Sequence, residues 1–402
     1  MDATDEGSGP FRFDYDPGAI RYGAGAVDAL GADLDALGRE AALVVTGRTV
    51  GQTAAVMDPI RAGLGDRLAG VFAETTPEKR LATALAGAEA AGSCGADVLV
   101  AVGGGSSIDT AKAIATVGGR SESAEELGAE FAETGTLGVP AEPLPIVSVP
   151  TTLAGADFTQ GAGLSAAPGG DLVDVPVSGG LGAPALAPVQ AVYDPEIVAT
   201  TPRRVLAGSA MNGFDKALET MYSRHATAIT DATAARGLQR FRTGLAAFAG
   251  ENYRDGLPAA VEGLLLAQYG ISRAACTTMS VIHAFGQEVS AAGDVQQGVA
   301  HAICAPHVLA ELLETAEVRT GVLAAAFEVG DRPDPEAAIV DAVAGIRDGL
   351  GVTTQLRDVE GLEEDDLPEV AATLADHRFL ANGPADFHPT PAALQAVLEA
   401  AW

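Results

Sequence analysis

The chain has 402 residues, 54 acidic against 24 basic, for a net charge of −30. That length accommodates two or three domains and a large buried core, and that charge excludes a nucleic-acid partner. No uninterrupted apolar run reaches membrane-spanning length, and the acidic start, Met1 to Pro10, lacks the basic and apolar parts of a signal peptide, so a cytoplasmic protein with no membrane partner is expected.

The elements read as follows in chain order. Phe11 to Tyr15 and Ala19 to Tyr22 read as strands, Ala26 to Leu37 as a helix and Ala41 to Val45 as a strand ending in Thr46-Gly47-Arg48. Thr53 to Leu64 is helical, Leu68 to Phe72 a strand and Glu78 to Cys94 a helix. The apolar run Val98 to Val102 is a buried strand, followed by Gly103-Gly104-Gly105-Ser106-Ser107 and a helix marked by Ile108, Ala111, Ile114 and Ala115. Pro145 to Val149 is a strand ending in Pro150-Thr151-Thr152, the Gly/Ala/Pro-rich stretch Ala162 to Pro188 a loop or β-excursion, and Val189 to Tyr193 a last strand. From Pro202 the patterns are helical: Val205 to Ser223, Thr230 to Ala249, Leu257 to Ser290, Ala300 to Glu314, Glu317 to Val329, Pro335 to Leu350, Asp366 to Leu374 and Pro391 to Ala401. The fold class is therefore α/β plus all-α: a parallel-sheet, Rossmann-like dinucleotide domain over 1–197 and an all-helical domain over 198–402.

Strand, glycine turn and helix aim free backbone N–H groups at one point, which suits a phosphate; a Cβ in the turn would keep the backbone away from it. Ser106 or Ser107 is placed to cap the helix, and Asp109 falls in its first turn. Neither the Walker pattern nor the G-x-G-x-x-G fingerprint is present. Ligands of such sheets bind beyond the carboxyl ends of the strands, here Thr46-Gly47-Arg48, Gly103-Gly104-Gly105 and Pro150-Thr151-Thr152.

Only Lys79, Lys112 and Lys216 are lysines; the other basic residues are arginines. Dispersed acids with little lysine keep a protein solvated where salt screens repulsion, so a salt-rich setting is expected. A lysine kept against that bias does work that arginine cannot, which singles out Lys112 and Lys216; Lys79 reads as an ordinary helical surface position. Cys94, Cys276 and Cys304 share no close spacing and read as reduced, buried thiols.

Gly103 to Ala113 resembles the GGGSxxDxAK signature of the iron-dependent (group III) alcohol dehydrogenase superfamily, which also holds the metal-free maleylacetate reductases and is a cousin of 3-dehydroquinate synthase. Ile20 to Ala26 resembles its FGxGA turn. Pro150 to Thr159 resembles its PTT loop in the form PTTYAGSEMT of maleylacetate reductases. Tyr193-Asp194-Pro195 with Thr201-Pro202 resembles its DP…LP junction, and Gly298 to Val308 the helix near its active site. The likeness spans nearly the whole chain.

The resemblance implies that Gly103, Gly104, Gly105, Ser106 and Asp109 bind the dinucleotide around its pyrophosphate and that Thr151 and Thr152 flank the nicotinamide. Gly47 stands where NAD-preferring relatives often hold an acid that accepts from the ribose 2′-hydroxyl; with Arg48 beside it, NADP is expected as well as NAD. The family's usual metal ligands, one Asp and three His, fall on Asn212, Lys216, His283 and Gln297, and the second histidine of the family's H-x-x-x-H falls on Gln287. Two amides and an ammonium around one imidazole do not make a tight divalent site, so no metal is expected. Asp215, Glu219, His283 and His301 form an alternative ligand set, because four-residue spacing puts both acids on one helix face.

The expected function is a nicotinamide-dependent reductase of a small carbonyl compound, working without the family's metal. Lys216 supplies the positive charge, and His283 or His301 the proton, with Lys216 itself as an alternative acid. His225, His307, His377 and His388 read as structural, and Arg240, Arg242 and Arg273 are candidates to pair a substrate carboxylate. A homo-oligomer is implied by the resemblance. Three rivals stay open: a metal-dependent dehydrogenase with a rearranged site, a lyase of the 3-dehydroquinate synthase type, and a dinucleotide-binding homologue without chemistry.

Overall fold

The structure, a computed structural model, describes residues 11–14, 18–157, 159–169, 172–273 and 276–402. The chain divides into two units between Thr201 and Pro202, with residues 11–14 grouped with the second.

The first unit alternates β1 (Ala19–Tyr22), α1 (Leu30–Ala36), β2 (Ala42–Gly47), α2 (Arg48–Gly51), α3 (Ala54–Leu64), β3 (Leu68–Thr75), α4 (Leu81–Cys94), β4 (Val98–Gly103), α5 (Gly105–Gly118), α6 (Ala124–Thr134) and β5 (Ile146–Pro150), and ends in β6 (Gly161–Ala166), β7 (Val177–Gly182), β8 (Gln190–Tyr193) and α7 (Pro195–Val198). Six strands form one parallel sheet in the order β1-β8-β5-β4-β2-β3, and β6 with β7 forms a separate antiparallel pair. Strand alternation sorts the side chains by face. Ala42, Val44, Val98, Val100 and Val102 join the core under α1 and α3, while Leu43, Val45, Leu99 and Ala101 pack against α4, α5 and α6. Fully burying each such Val or Leu contributes roughly 1.5–3 kcal/mol.

The order of the sheet places a switch point. From β2 the chain runs outward to β3, and from β4 it runs the other way to β5. The crevice beyond the carboxyl ends of β2 and β4 is where open α/β sheets take ligands. The loops flanking it begin at Gly47 and Gly103.

The second unit is built from α8 (Arg203–Tyr222), α9 (Ala228–Ala246), α10 (Leu257–Ile271), α11 (Val281–Ala292), α12 (Gln297–Thr315), α13 (Thr320–Phe327), α14 (Pro335–Leu350), α15 (Leu367–Ala375) and α16 (Pro391–Ala400). Helix α8 is buried continuously from Leu206 to Tyr222 and is packed by α9, α10, α11 and α12. A helix buried all round belongs to the core rather than to the surface. Among the described residues no helix is long and apolar enough to cross a membrane.

Several sequence expectations need correction. Residues 11–14 are irregular rather than strand, and Tyr15 lies outside the described residues. The apolar pattern Leu257 to Ser290 is two helices, because the intervening backbone is held elsewhere: the Ser280 N–H donates to Glu219, and Thr278 bonds Thr220 through its hydroxyl and Gly270 through its N–H. The helix expected from Glu78 begins at Leu81, since Lys79 takes a left-handed φ of 53° that ends any helix there. The β-excursion expected over Ala162 to Pro188 is present as the β6–β7 pair.

Candidate active site

In the α/β unit the expected binding residues gather along one sheet edge. Gly103, the last residue of β4, pairs with Pro150 of β5, and the Thr151 N–H donates to the Gly103 carbonyl at 3.0 Å. Gly103 has φ +152°, and a Cβ there would lie 2.6 Å from Ser107 Oγ, so only glycine fits. A Cβ on Gly104 would lie 3.1 Å from the Thr152 methyl, which shows how closely the two loops approach. Gly47 ends β2 and the exposed Arg48 opens α2, one strand over.

Gly104 is the N-cap of α5, and no side chain caps it. Ser106 and Ser107 therefore do not serve as caps; the Ser107 hydroxyl instead bonds Thr75 Oγ1 at 2.8 Å, and Ser106 is half-buried at the mouth of the turn. The Ser107 and Ile108 N–H groups bond the Gly104 carbonyl, while those of Gly105 and Ser106 precede any intrahelical acceptor and suit an anion.

Asp109 lies beyond the first turn and faces inward. It accepts from Lys79 Nζ at 2.6 Å and from the Gly163 N–H at 3.3 Å. Lys79 is thus a half-buried ion-pair partner, not a free surface position. Lys112 is fully buried and donates to the Ala156 carbonyl, Thr159 Oγ1 and the Gly161 carbonyl at 3.1, 2.6 and 3.1 Å. Burial lowers its pKa to about 8, with Asp109 and Asp157 pulling the other way. The Asp109 and Lys112 side chains tie the glycine-turn helix to the loop that follows Thr151 and Thr152.

In the helical unit, Asn212, Asp215, Lys216 and Glu219 recur at the i, i+3, i+4, i+7 spacing of one face of α8. Helix α11 brings His283 to this face and α12 brings Gln297 and His301. The crossing of α8 and α12 depends on glycine: a Cβ on Gly298 would lie 2.1 Å from the Gly208 carbonyl oxygen. The α11–α12 contact does too, since a Cβ on Gly286 would lie 2.1 Å from His301 Cδ2.

Two carboxyl–imidazole pairs result. Glu219 Oε2 meets His283 Nδ1 at 2.5 Å, and the carboxyl also accepts the backbone N–H groups of Ser280 and His283 at 2.9 and 2.8 Å, at the N-terminus of α11. Asp215 Oδ2 meets His301 Nδ1 at 3.0 Å. The imidazoles stack edge to face with centroids 4.4 Å apart. Their Nε2 atoms face nitrogen donors: His283 Nε2 lies 3.3 Å from Lys216 Nζ, and His301 Nε2 lies 3.3 Å from Gln297 Nε2. Lys216 Nζ also donates to Asn212 Oδ1 at 2.5 Å. Lys216 is 3% exposed.

Burial sets the protonation tendencies. It pushes His283 well below its ordinary range, helped by the Lys216 ammonium, and His301 likewise, helped by His283 and Lys216. Asp215 is driven well above the carboxylate range by burial and by Glu219. Glu219 is raised to about 8 by burial, against the pull of the two backbone N–H groups. Cys304, fully buried, is pushed up to about 12 by burial and Asp215, which makes it an inert thiol.

A divalent ion of the kind the resemblance implies does not fit these residues. At the four ligand positions the Asn212 oxygen and the His283 Nε2 are both engaged by the Lys216 ammonium, and Gln297 turns an amide to His301. The alternative set fails for another reason: Asp215 and Glu219 each face an imidazole Nδ1 instead of converging on one point. Among the described residues no group of three or more His, Cys, Asp or Glu could hold a metal ion.

Other candidates fall elsewhere. Arg240 pairs with Glu262 and Arg242 with Glu328. Arg273 donates to the His225 carbonyl past the C-terminus of α8, whereas Lys216 Nζ reaches back to Asn212. Gln287 accepts from His377 Nε2 at 3.1 Å, His225 Nε2 bonds Asn382 Oδ1, His307 is half-buried and His388 is exposed. The carboxyl partners Asp215 and Glu219, considered from sequence only as ligands, are revealed as imidazole partners; their shared helix face was the available signal.

The sequence profile described as iron-containing alcohol dehydrogenase matches residues 17–195, and that of the C-terminal part of the Fe-containing alcohol dehydrogenase family matches residues 206–402. The chain is 26% identical over 291 residues to maleylacetate reductase of Burkholderia cepacia, covering 72% of each chain. It is 26% identical over 371 residues to lactaldehyde reductase of Escherichia coli, covering 88% of this chain and 91% of that one. The sulfoacetaldehyde reductase of Bifidobacterium kashiwanohense, solved with NAD+, superposes with a TM-score of 0.83 at 21% identity over 97% of this chain and 99% of that one. With both units matched, and with the glycine-turn edge and the α8 face in place, the chain belongs to the iron-containing alcohol dehydrogenase family of oxidoreductases.

Proposed function

We propose that the chain is a reductase that passes hydride from a reduced nicotinamide dinucleotide to the carbonyl carbon of a small ketone or aldehyde, with the Lys216 ammonium in the role that a metal ion fills elsewhere in the family. The observation that carries this reading is the position of Nζ at a ligand place of the family, held by Asn212 Oδ1 and His283 Nε2. The names of the relatives, reductases of maleylacetate, lactaldehyde and sulfoacetaldehyde, support a small carbonyl substrate, and the NAD+ in one of them supports the dinucleotide.

In this reading the Gly103–Gly105 turn and the first N–H groups of α5 take the pyrophosphate. Thr151 and Thr152 flank the nicotinamide. Gly47 leaves the ribose position without a repelling carboxylate, and Arg48 adds a cation, so NADPH is used at least as well as NADH. As hydride reaches the carbonyl carbon, the C=O electron pair moves to oxygen. A fixed ammonium in a dry site stabilises that developing charge. The proton that completes the alcohol comes from the cluster of Lys216, His283 and His301.

The test is purification in high salt, treatment with a chelator, metal analysis, and a screen for loss of reduced-nicotinamide absorbance across a panel of carbonyl compounds. Turnover with far less than one metal ion per chain is the expected result. Activity lost on chelation and restored by iron or zinc would overturn the role of Lys216. Bound dinucleotide with no carbonyl reduced would overturn the reductase.

A further inference from the structure

Resting on that reading, we propose that Glu219 is the positioning residue of the reaction: it holds the Nδ1 proton of His283, which turns the Nε2 lone pair toward Lys216 and makes the lysine ammonium, not the imidazole, the proton donor. Glu219 touches neither substrate nor dinucleotide in this scheme. It acts through His283.

The geometry points this way from both ends of the imidazole. On the Nδ1 side, Glu219 has two backbone N–H donors that cannot be given up, from Ser280 and His283, besides Nδ1 itself. They sit at the start of α11, where the helix dipole favours a negative group. With the Tyr222 hydroxyl at 3.4 Å, four donors on two oxygens mark the carboxyl as the acceptor. On the Nε2 side, the neighbour is an ammonium, which can only donate. An imidazole placed between an acceptor at Nδ1 and a donor at Nε2 carries its proton on Nδ1 and has none to offer at Nε2. Glu219 is fully buried and His283 is 1% exposed, so water does not supply an alternative partner cheaply. Lys216 donates to Asn212 Oδ1, to His283 Nε2 and, at 3.4 Å, to the Asn212 carbonyl; the substrate oxygen takes the place of that long third bond.

The step balances. The dihydronicotinamide loses hydride and is oxidised; the carbonyl carbon gains it and is reduced. The C=O π pair becomes an oxygen lone pair that takes one proton from Nζ, leaving Lys216 as the amine until solvent protonates it again. His283 keeps its Nδ1 proton and Glu219 stays a carboxylate throughout.

Glu219→Gln tests the assignment. Its amide presents a donor where Oε2 now accepts from Ser280 and His283, so the imidazole proton should move to Nε2 and confront the ammonium. Long-range nitrogen–proton NMR of the histidine rings reads the tautomer without any turnover, with His283→Gln used to assign the signal. The wild type should show the proton on Nδ1 and Glu219→Gln should show it on Nε2. In kinetics, Glu219→Gln should lower kcat by roughly 100-fold or more while KM for the carbonyl and for the dinucleotide changes little, in keeping with the effect of a misoriented general-acid array. A wild-type His283 protonated on Nε2, or kcat within about threefold of wild type in Glu219→Gln, would overturn the proposal. If no carbonyl is reduced by the wild type, the reductase reading fails while the tautomer measurement still decides the role of Glu219.

Discussion

Lys216→Met is the sharpest test of the active centre. Methionine keeps an unbranched chain of nearly the same length, so the 3%-exposed position stays filled while the charge and three donors disappear. Two acceptors lose their partner, Asn212 Oδ1 at 2.5 Å and His283 Nε2 at 3.3 Å. Leaving a buried acceptor unsatisfied costs about 1–3 kcal/mol, but a buried charge is removed at the same time, so the melting temperature should move little. Turnover should not be spared. Losing one preorganised charge-stabilising donor costs about 2.7–4 kcal/mol, or 10²–10³-fold in kcat. Losing a general acid is worth about 10²–10⁴-fold. Because one nitrogen serves both ends, the two losses overlap rather than multiply, and a fall of at least roughly 10³-fold is expected. The assay is steady-state oxidation of NADPH, with dinucleotide affinity measured separately by fluorescence. That affinity should stay within about twofold, because the pyrophosphate edge belongs to the other unit. A kcat within about tenfold of wild type would refute the reasoning outright.

Three further outcomes are expected. Gly47→Asp should raise KM for NADPH at least roughly tenfold relative to NADH, since a carboxylate beside a 2′-phosphate is repelled; the new Cβ lies 3.3 Å from the Thr75 carbonyl oxygen, a contact the loop can absorb. Gly298→Ala drives a methyl to 2.1 Å from the Gly208 carbonyl oxygen, so α8 and α12 must separate, which should cost about 3 kcal/mol, lower the melting temperature by roughly 6–12 °C and take activity with it. Lys112 gives a pH signature: its pKa is near 8 when folded and near 10.5 when free, so the unfolded chain binds the extra proton between those values and stability rises with pH across that window. Denaturant titrations of wild type against Lys112→Gln should show that difference growing by up to about 3 kcal/mol from pH 8 to 10.5; a flat difference would mean the ammonium is not desolvated.

What the sequence made legible follows from how local each signal is. Helix α14 could be read at both ends, because Asp334 caps it, Pro335 opens it and Gly351 closes it in the left-handed conformation. The strand and turn at Val98–Gly105 were equally plain. The break between α10 and α11 was not, because nothing in that apolar run interrupts the helical period; Glu219 and Thr220, some sixty residues earlier, hold the backbone instead. The scarcity of lysine singled out Lys112 and Lys216, both of which are buried, yet Lys79 was misread, since a left-handed lysine beside Asp109 has no pattern of its own. Asp215 and Glu219 share a face that spacing alone discloses. Which imidazole each would meet depends on where α11 and α12 cross α8, and that is fixed by tertiary approach at Gly208, Gly286 and Gly298.

The inward placement of the lysines reaches beyond catalysis. Lys112 and Lys216 are sealed, and the Lys79 side chain is 29% exposed with its ammonium on Asp109. The folded protein therefore presents almost no lysine nucleophile to acylating reagents, resins or amine-directed cross-linkers. Lysine acylation becomes a gauge of opening: Lys112 reports on the α/β unit and Lys216 on the helical one, each silent until its own surroundings come apart.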